Sequence, residues 1–94
     1  MRISKDEINV LKNSLKQLSS DAKLYLFGSR TDETKKGGDI DLLVVSPELN
    51  KRSLRKLRLD FFESFGEQKL DIVLDDGAFK SVFNRIIFDK AVLL

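Results

Sequence analysis

The 94-residue chain contains neither cysteine nor histidine. Without cysteine it can form no disulfide and no thiolate metal site, and the composition is compatible with a reducing cytosol. Because imidazole is missing as well, the usual catalytic dyads, catalytic triads and zinc sites are excluded. Any chemistry must therefore rest on carboxylates, hydroxyls, lysine or arginine.

Long apolar runs and a strong charge of one sign are also lacking. Seventeen basic and fifteen acidic residues give a net charge of +2, which is weak support for nucleic-acid binding. No apolar run approaches the roughly 18 residues of a membrane span, and the charged start is unlike a secretion signal. We therefore expect a cytoplasmic protein without a membrane partner. The length and the hydrophobic content of 41% predict a single domain over residues 1–94.

Apolar periodicity predicts the order helix, strand, loop, strand, helix, strand, helix. A capping-box pattern at Ser4–Glu7 begins the first helix, which we place at residues 5–19. The strands are predicted at residues 24–27, 40–45 and 69–74. The other two helices follow from the apolar positions Leu54, Leu57, Phe61 and Phe65, closed by Gly66, and from Phe79, Val82, Phe83, Ile86 and Ile87.

Two segments are less regular. Residues 29–38 predict a loop with one helical turn from Ser29, and residues 91–94 predict either a helix end or a short edge strand. Together the elements indicate an α/β (α+β) fold, in which helices pack on a small mixed β-sheet.

Three aspartates carry the strongest chemical signal. Asp39 and Asp41 stand two apart where a strand begins, so their side chains share one sheet face. Two like charges at this spacing are costly without a cation, which predicts a hard, oxygen-seeking metal such as Mg²⁺. Asp71 interrupts the apolar alternation of the next strand. If the two strands are neighbours, the three carboxylates form a cluster able to hold two metals about 3.5–4 Å apart, as phosphoryl transfer requires.

A glycine and a hydroxyl follow the first strand at Phe27-Gly28-Ser29. Glycine lets the backbone approach a ligand, the free amides of a first helical turn attract anions, and the Ser29 hydroxyl can donate to a phosphate oxygen. Ser29 is also a candidate helix cap, a role compatible with phosphate binding.

These residues together resemble the DNA polymerase β-like nucleotidyltransferase superfamily: Gly28-Ser29, nine intervening residues, Asp39-Ile40-Asp41, and an aspartate in the third strand. Within it, residues 26–30 and 38–44 resemble the minimal nucleotidyltransferases. Many relatives carry an Arg-Ala-Arg-Gly run directly after the Gly-Ser pair, whereas in this chain Thr31-Asp32-Glu33-Thr34 follows Arg30. We expect Asp32 and Glu33 to point away from a triphosphate.

The resemblance implies a metal-dependent transferase with ATP as substrate. Gly28 and Ser29, with Arg30 beside them, would bind the nucleoside triphosphate. Asp39 and Asp41 would ligate both Mg²⁺ ions, and Asp71 would complete the metal set and help to activate the acceptor hydroxyl. The resemblance further implies an antitoxin that adenylylates a tyrosine of an all-helical HEPN-type partner, with which it could form a hetero-oligomer.

Two other functions stay open. One is a non-catalytic antitoxin of the same fold that holds nucleotide and neutralises its partner by occlusion. The other is nucleic-acid binding through the basic residues of 51–58, which we rank last because such residues on the outer side of an amphipathic helix usually serve solvation.

Overall fold

The structure, a computed structural model, describes all residues from 1 to 94. Its helices are α1 (Lys5–Leu18), α2 (Leu54–Phe65) and α3 (Val82–Lys90), and its strands are β1 (Lys23–Phe27), β2 (Ile40–Val45), β3 (Leu70–Asp75) and β4 (Val92–Leu93). A 3₁₀ turn, Gly28–Thr31, follows β1. The predicted order is confirmed, and the tail takes the edge-strand alternative. None of the three helices has both the length and the apolar character of a membrane span.

The first helix begins where its capping box predicts. Ser4 Oγ accepts the Glu7 N–H at 3.1 Å, and the Glu7 carboxylate accepts the Ser4 N–H at 2.9 Å. The helix then buries Leu11 and Leu15 in the hydrophobic core that it shares with the strands. Capping and one apolar face are therefore enough to specify where α1 starts and which way it faces.

The four strands form one mixed sheet in the order β3-β2-β1-β4. β1 pairs antiparallel with both β2 and β4, whereas β2 and β3 run parallel. The parallel pair is possible because α2 connects the end of β2 to the start of β3 as a crossover helix. This confirms the α+β class with a mixed sheet.

The two faces of the sheet differ in what they carry. The core face is apolar and is covered by α1 and α2; its side chains are Leu24, Leu26, Ile40, Leu42, Val44 and Leu70. From the helices, Leu54, Leu57 and Phe61 complete this core at 0–2% exposure. The alternate positions of the strands point to the second face. That face includes Phe27, Asp41 and Asp71, which lie side by side across β1, β2 and β3.

Helix α3 covers only part of the second face. Asn84 Nδ2 donates to Asp75 Oδ1 at 2.9 Å, and the Phe88 ring meets Tyr25 edge-on at 5.2 Å. Of its apolar side chains only Ile87 is buried. Most of the apolar positions that predicted this helix are uncovered: Val82, Phe83 and Ile86 are 64%, 62% and 60% exposed. Phe79 precedes the helix, because α3 starts only at Val82, where Ser81 caps it.

The Gly28–Thr31 turn also differs from expectation. It begins one residue earlier than predicted, with Phe27 at the cap position, and no side chain caps it. Ser29 is therefore inside the turn and is not its cap.

A buried carboxylate fixes α3 to the end of β3. Asp75 is 6% exposed and accepts the N–H groups of Gly77 (2.7 Å) and Phe79 (3.1 Å) in addition to the bond from Asn84. Burial raises the pKa of Asp75, but the three donated hydrogen bonds outweigh it and leave the pKa below its ordinary value of 3.8. The ionised carboxylate is thus the form that the fold stabilises.

We predict that Asp75→Asn lowers the free energy of unfolding at pH 7 by about 1–3 kcal/mol, because an amide cannot accept all three bonds and buried donors lose their partner. The stabilisation by Asp75 is present above its unfolded pKa near 3.8 and is lost as the pH falls through its lower folded value. The acid-induced loss of stability should therefore be smaller in the variant. Urea unfolding at pH 7 and pH 3 measures both effects. Asp76→Asn, at an exposed neighbour, is the matched control, and an equal loss in that variant would contradict the prediction.

Candidate functional site

Asp41 and Asp71 are direct neighbours on the second face of the sheet. They are paired positions in the parallel register of β2 and β3, and each is partly buried. Asp39 lies just before β2 and, two residues from Asp41, falls on the same side. The condition set by the sequence, that the second and third strands be neighbours, is therefore met, and the three predicted carboxylates come together.

The electrostatics of Asp41 reflect this crowding. Its pKa is raised above the ordinary value, first by partial burial and then by the negative charges of Asp71 and Asp39. A side-chain hydrogen bond with Asp71 raises the pKa of Asp41 further. Like charges held this close favour a cation or a proton between them.

A lysine that the sequence interpretation missed balances part of this charge. Lys69 Nζ lies 3.4 Å from Asp39 Oδ2. The pKa of Lys69 is raised, mainly by its hydrogen bond and ion pair with Asp39 and then by the charge of Asp71. The available signal was its position two residues before Asp71, which predicts the same face once β3 is recognised.

Gly28 brings the turn after β1 against the acidic cluster. Its φ of +77° lies in the left-handed region, and a Cβ at this position would collide with the Asp41 carboxylate. Only glycine accommodates both conditions. Gly38 makes a similar approach on the other side of the loop, where a Cβ would stand 2.5 Å from Ser29 Oγ. Gly28 therefore lies against the Asp41 carboxylate, and Ser29 follows it next to Gly38; we call these two residues the Gly28-Ser29 corner.

Two arginines hold the loop that follows. Arg2 donates side-chain hydrogen bonds to the carbonyl oxygens of Gly37 (2.7 Å), Ser29 (3.1 Å) and Asp32 (3.1 Å). Arg30 donates to the carbonyls of Gly38 at 3.3 Å and Arg2 at 3.0 Å. Arg30 thus supports the loop, and its contact with phosphate stays a prediction. No local pattern pointed to Arg2, because its partners lie 27–35 residues away.

The acidic residues of the loop are engaged locally. Asp32 accepts the Thr34 N–H at 2.9 Å and the Thr34 hydroxyl at 2.7 Å. Glu33 pairs with the Met1 ammonium at 2.8 Å. Both carboxylates therefore bind partners outside the acidic cluster and do not join it.

Comparison with known families decides the class of the protein. A family model described as "Nucleotidyltransferase domain" matches residues 8–93. The chain belongs to this family. The match confirms the resemblance to the minimal nucleotidyltransferases of the polymerase β-like superfamily, and general nucleotidyl transfer is the activity that it supports. A search of curated proteins found no match.

The nucleotidyltransferase family implies a divalent metal, and the donor set can be compared with that need. Carboxylate oxygens are the ligands that Mg²⁺ prefers. Burial first, and then the charges of Asp71 and Asp39, raise the pKa of Asp41, and a cation would relieve the part that comes from charge repulsion. As the side chains stand, however, no three of them have the mutual geometry of a metal site, and Asp39 pairs with Lys69. The chemistry of the residues fits a metal, while the three-ligand, two-metal arrangement stays a prediction.

We predict that Gly28→Ala lowers both stability and affinity for Mg-ATP. Alanine in the left-handed region costs about 1–2 kcal/mol, and its methyl group would displace the Asp41 carboxylate. A disturbed metal-ligand environment typically costs about 10–100-fold in affinity. Urea unfolding and calorimetric titration with Mg-ATP measure the two effects.

Gly77→Ala is the matched control for Gly28→Ala. Its φ of +99° is strained for alanine as well, but the nearest atom to a Cβ there is Val45 Cγ1 at 4.0 Å. It should lose stability while it binds Mg-ATP like the wild type. Equal loss of Mg-ATP affinity in both variants would show that strain alone is responsible.

Proposed function

We propose that this nucleotidyltransferase moves AMP, or another nucleoside monophosphate, from Mg-NTP to a hydroxyl of a partner protein. The observation that carries the proposal is the meeting of Asp39, Asp41 and Asp71 on one sheet face, beside a Gly28-Ser29 corner. Polyphosphate binding needs close backbone approach and donors, and phosphoryl-transfer chemistry needs clustered carboxylates. The two requirements coincide at one place in this fold.

The roles of the residues follow from their positions. The Gly28 backbone and the Ser29 hydroxyl would bind and orient the triphosphate. Asp39 and Asp41 would hold the divalent ions, which neutralise charge that builds on the phosphates in the transition state. Asp71, beside Asp41, would accept the proton of the attacking hydroxyl. A bond forms between that oxygen and the α-phosphorus, the bond from the α-phosphorus to the bridging oxygen breaks, and pyrophosphate leaves with the electron pair.

We infer that the acceptor is a protein, with a tyrosine of an all-helical HEPN-type toxin as the leading candidate and this chain as its antitoxin. The exposed apolar side chains of α3 support a protein partner, because contiguous exposed apolar surface commonly marks an interaction site. They lie on the same side of the sheet as the three carboxylates, so a docked partner could present a hydroxyl to them. A cytoplasmic location, where ATP and Mg²⁺ are available, fits this proposal.

A second candidate is a non-catalytic module that holds nucleotide and neutralises its partner by occlusion. Two observations favour it: Asp39 forms an ion pair with Lys69, and no three side chains have the geometry of a metal site. The presence of all three aspartates favours the enzyme.

The deciding experiment incubates the protein with the product of its neighbouring gene, labelled ATP and Mg²⁺. Label should pass to the neighbour, and Asp71→Asn should reduce the rate by about 10²–10⁴-fold, the usual contribution of a general base, while nucleotide binding is kept. Asp21→Asn removes an exposed carboxylate from a turn and should leave the rate unchanged. If Asp71→Asn still neutralises the partner and no label is transferred by either protein, the occluding module is the correct function.

A further inference from the structure

Four charged side chains form two facing pairs where β2 and β3 begin. Asp41 is opposite Asp71 in the parallel register, and Ile40 is opposite Leu70. The Ile40 N–H also donates to the Lys69 carbonyl at 3.3 Å. The pairing of the two strands therefore extends one residue further, where Asp39 lies opposite Lys69. Lys69 Nζ is 3.4 Å from Asp39 Oδ2. One ammonium group therefore stands among three carboxylates.

We propose that Lys69 is a built-in counter-ion of the acidic site, which holds Asp39 while no divalent ion is bound and releases it when Mg-NTP enters. The proposal rests on the function proposed above and adds a positioning residue to it. It also predicts an order of events: the metal binds weakly alone and well together with the triphosphate.

The charges explain why Lys69 would oppose a metal that comes alone. Lys69 offsets one of three negative charges, so the metal-free cluster is less repulsive than carboxylates alone. A divalent ion that takes Asp39 must displace a positive charge and then remain close to it. At a separation of about 5 Å, even in water, that repulsion weakens metal binding by roughly tenfold.

The exposure of the pair explains why the exchange is possible. The Lys69 and Asp39 side chains are 69% and 43% exposed, so neither is locked by packing. An exposed ion pair is weak, and a lysine stem is flexible enough to leave it. A bound triphosphate offers the ammonium group new anionic oxygens as it departs. Metal and nucleotide would then favour each other's binding, and this coupling would be reciprocal.

The test measures Mn²⁺ binding by electron paramagnetic resonance, with and without a non-hydrolysable ATP analogue. In the wild type the analogue should strengthen Mn²⁺ binding. Lys69→Met should bind Mn²⁺ alone roughly tenfold more tightly, and the strengthening by the analogue should shrink by a similar factor. Lys69→Arg keeps the cation and should behave like the wild type. Lys51→Met removes an exposed positive charge beyond the opposite end of β2 and should change neither quantity.

Unchanged or weaker Mn²⁺ binding in Lys69→Met would overturn the proposal. Lys69→Gln, which keeps a polar side chain, provides the same measurement if the methionine variant does not fold. The outcome is separate from that of the label-transfer experiment. Tighter Mn²⁺ binding without any label transfer would keep the counter-ion and remove the reaction, whereas no Mn²⁺ binding by any variant would remove both.

Discussion

Paired side chains of neighbouring parallel strands lie on the same sheet face, and β2 pairs with β3 so that Asp41 stands beside Asp71. This register is set on the other side of the sheet. There Ile40, Leu42 and Val44 are buried at 0% exposure and pair with the apolar positions of β3. A slip by one residue would turn Asp71 into the core and an apolar side chain out of it, which the burial of a carboxylate makes prohibitive. The hydrophobic core therefore aligns the carboxylates without contacting them.

The same constraint explains the turn after β1. Phe27 is the β1 partner of Asp41, so the residue after Phe27 must pass the Asp41 carboxylate. A side chain there would collide with it, and the left-handed φ adds a second reason for glycine. The loop then leaves the sheet, and its carbonyl oxygens accept hydrogen bonds from Arg2 and Arg30 instead of from a strand. The position of Ser29 thus depends on the sheet on one side and on two guanidinium groups on the other.

Local sequence patterns predicted the parts of this arrangement that are local in origin. The capping box, the alternation in β2 and β3, and the isolated Asp71 within an apolar strand each reflect a period of a few residues. They were sufficient for the mixed sheet and for bringing three aspartates together, given that β2 and β3 are adjacent. Arg2 was not predictable, because its partners are distant in sequence and a lone arginine before a helix has no pattern.

Two further features, the position of Lys69 and the exposure of α3, were also not predicted from local sequence patterns. Lys69 was missed although its position two residues before Asp71 indicates its face, because a lysine at the start of a strand is ordinarily a solvated charge. The apolar period of α3 was recognised, but the period reports only that one side of a helix is apolar. It does not report how much sheet is available to cover that side, and here Val82, Phe83 and Ile86 remain exposed.

Helix α3 covers only part of the second face of the sheet, and this explains both its own exposed apolar side chains and the accessibility of the acidic cluster. Asp75 and Asn84 fix α3 over the end of β3, away from the end where Asp71 lies. Had α3 covered the whole face, Asp41 and Asp71 would be buried without water or cation, a state that carboxylates avoid. Because it covers part, the carboxylates stay accessible and apolar side chains of the helix stay uncovered beside them. One face of the sheet thus carries the apolar core, and the other keeps the free surface that the proposed function assigns to a nucleotide and a partner.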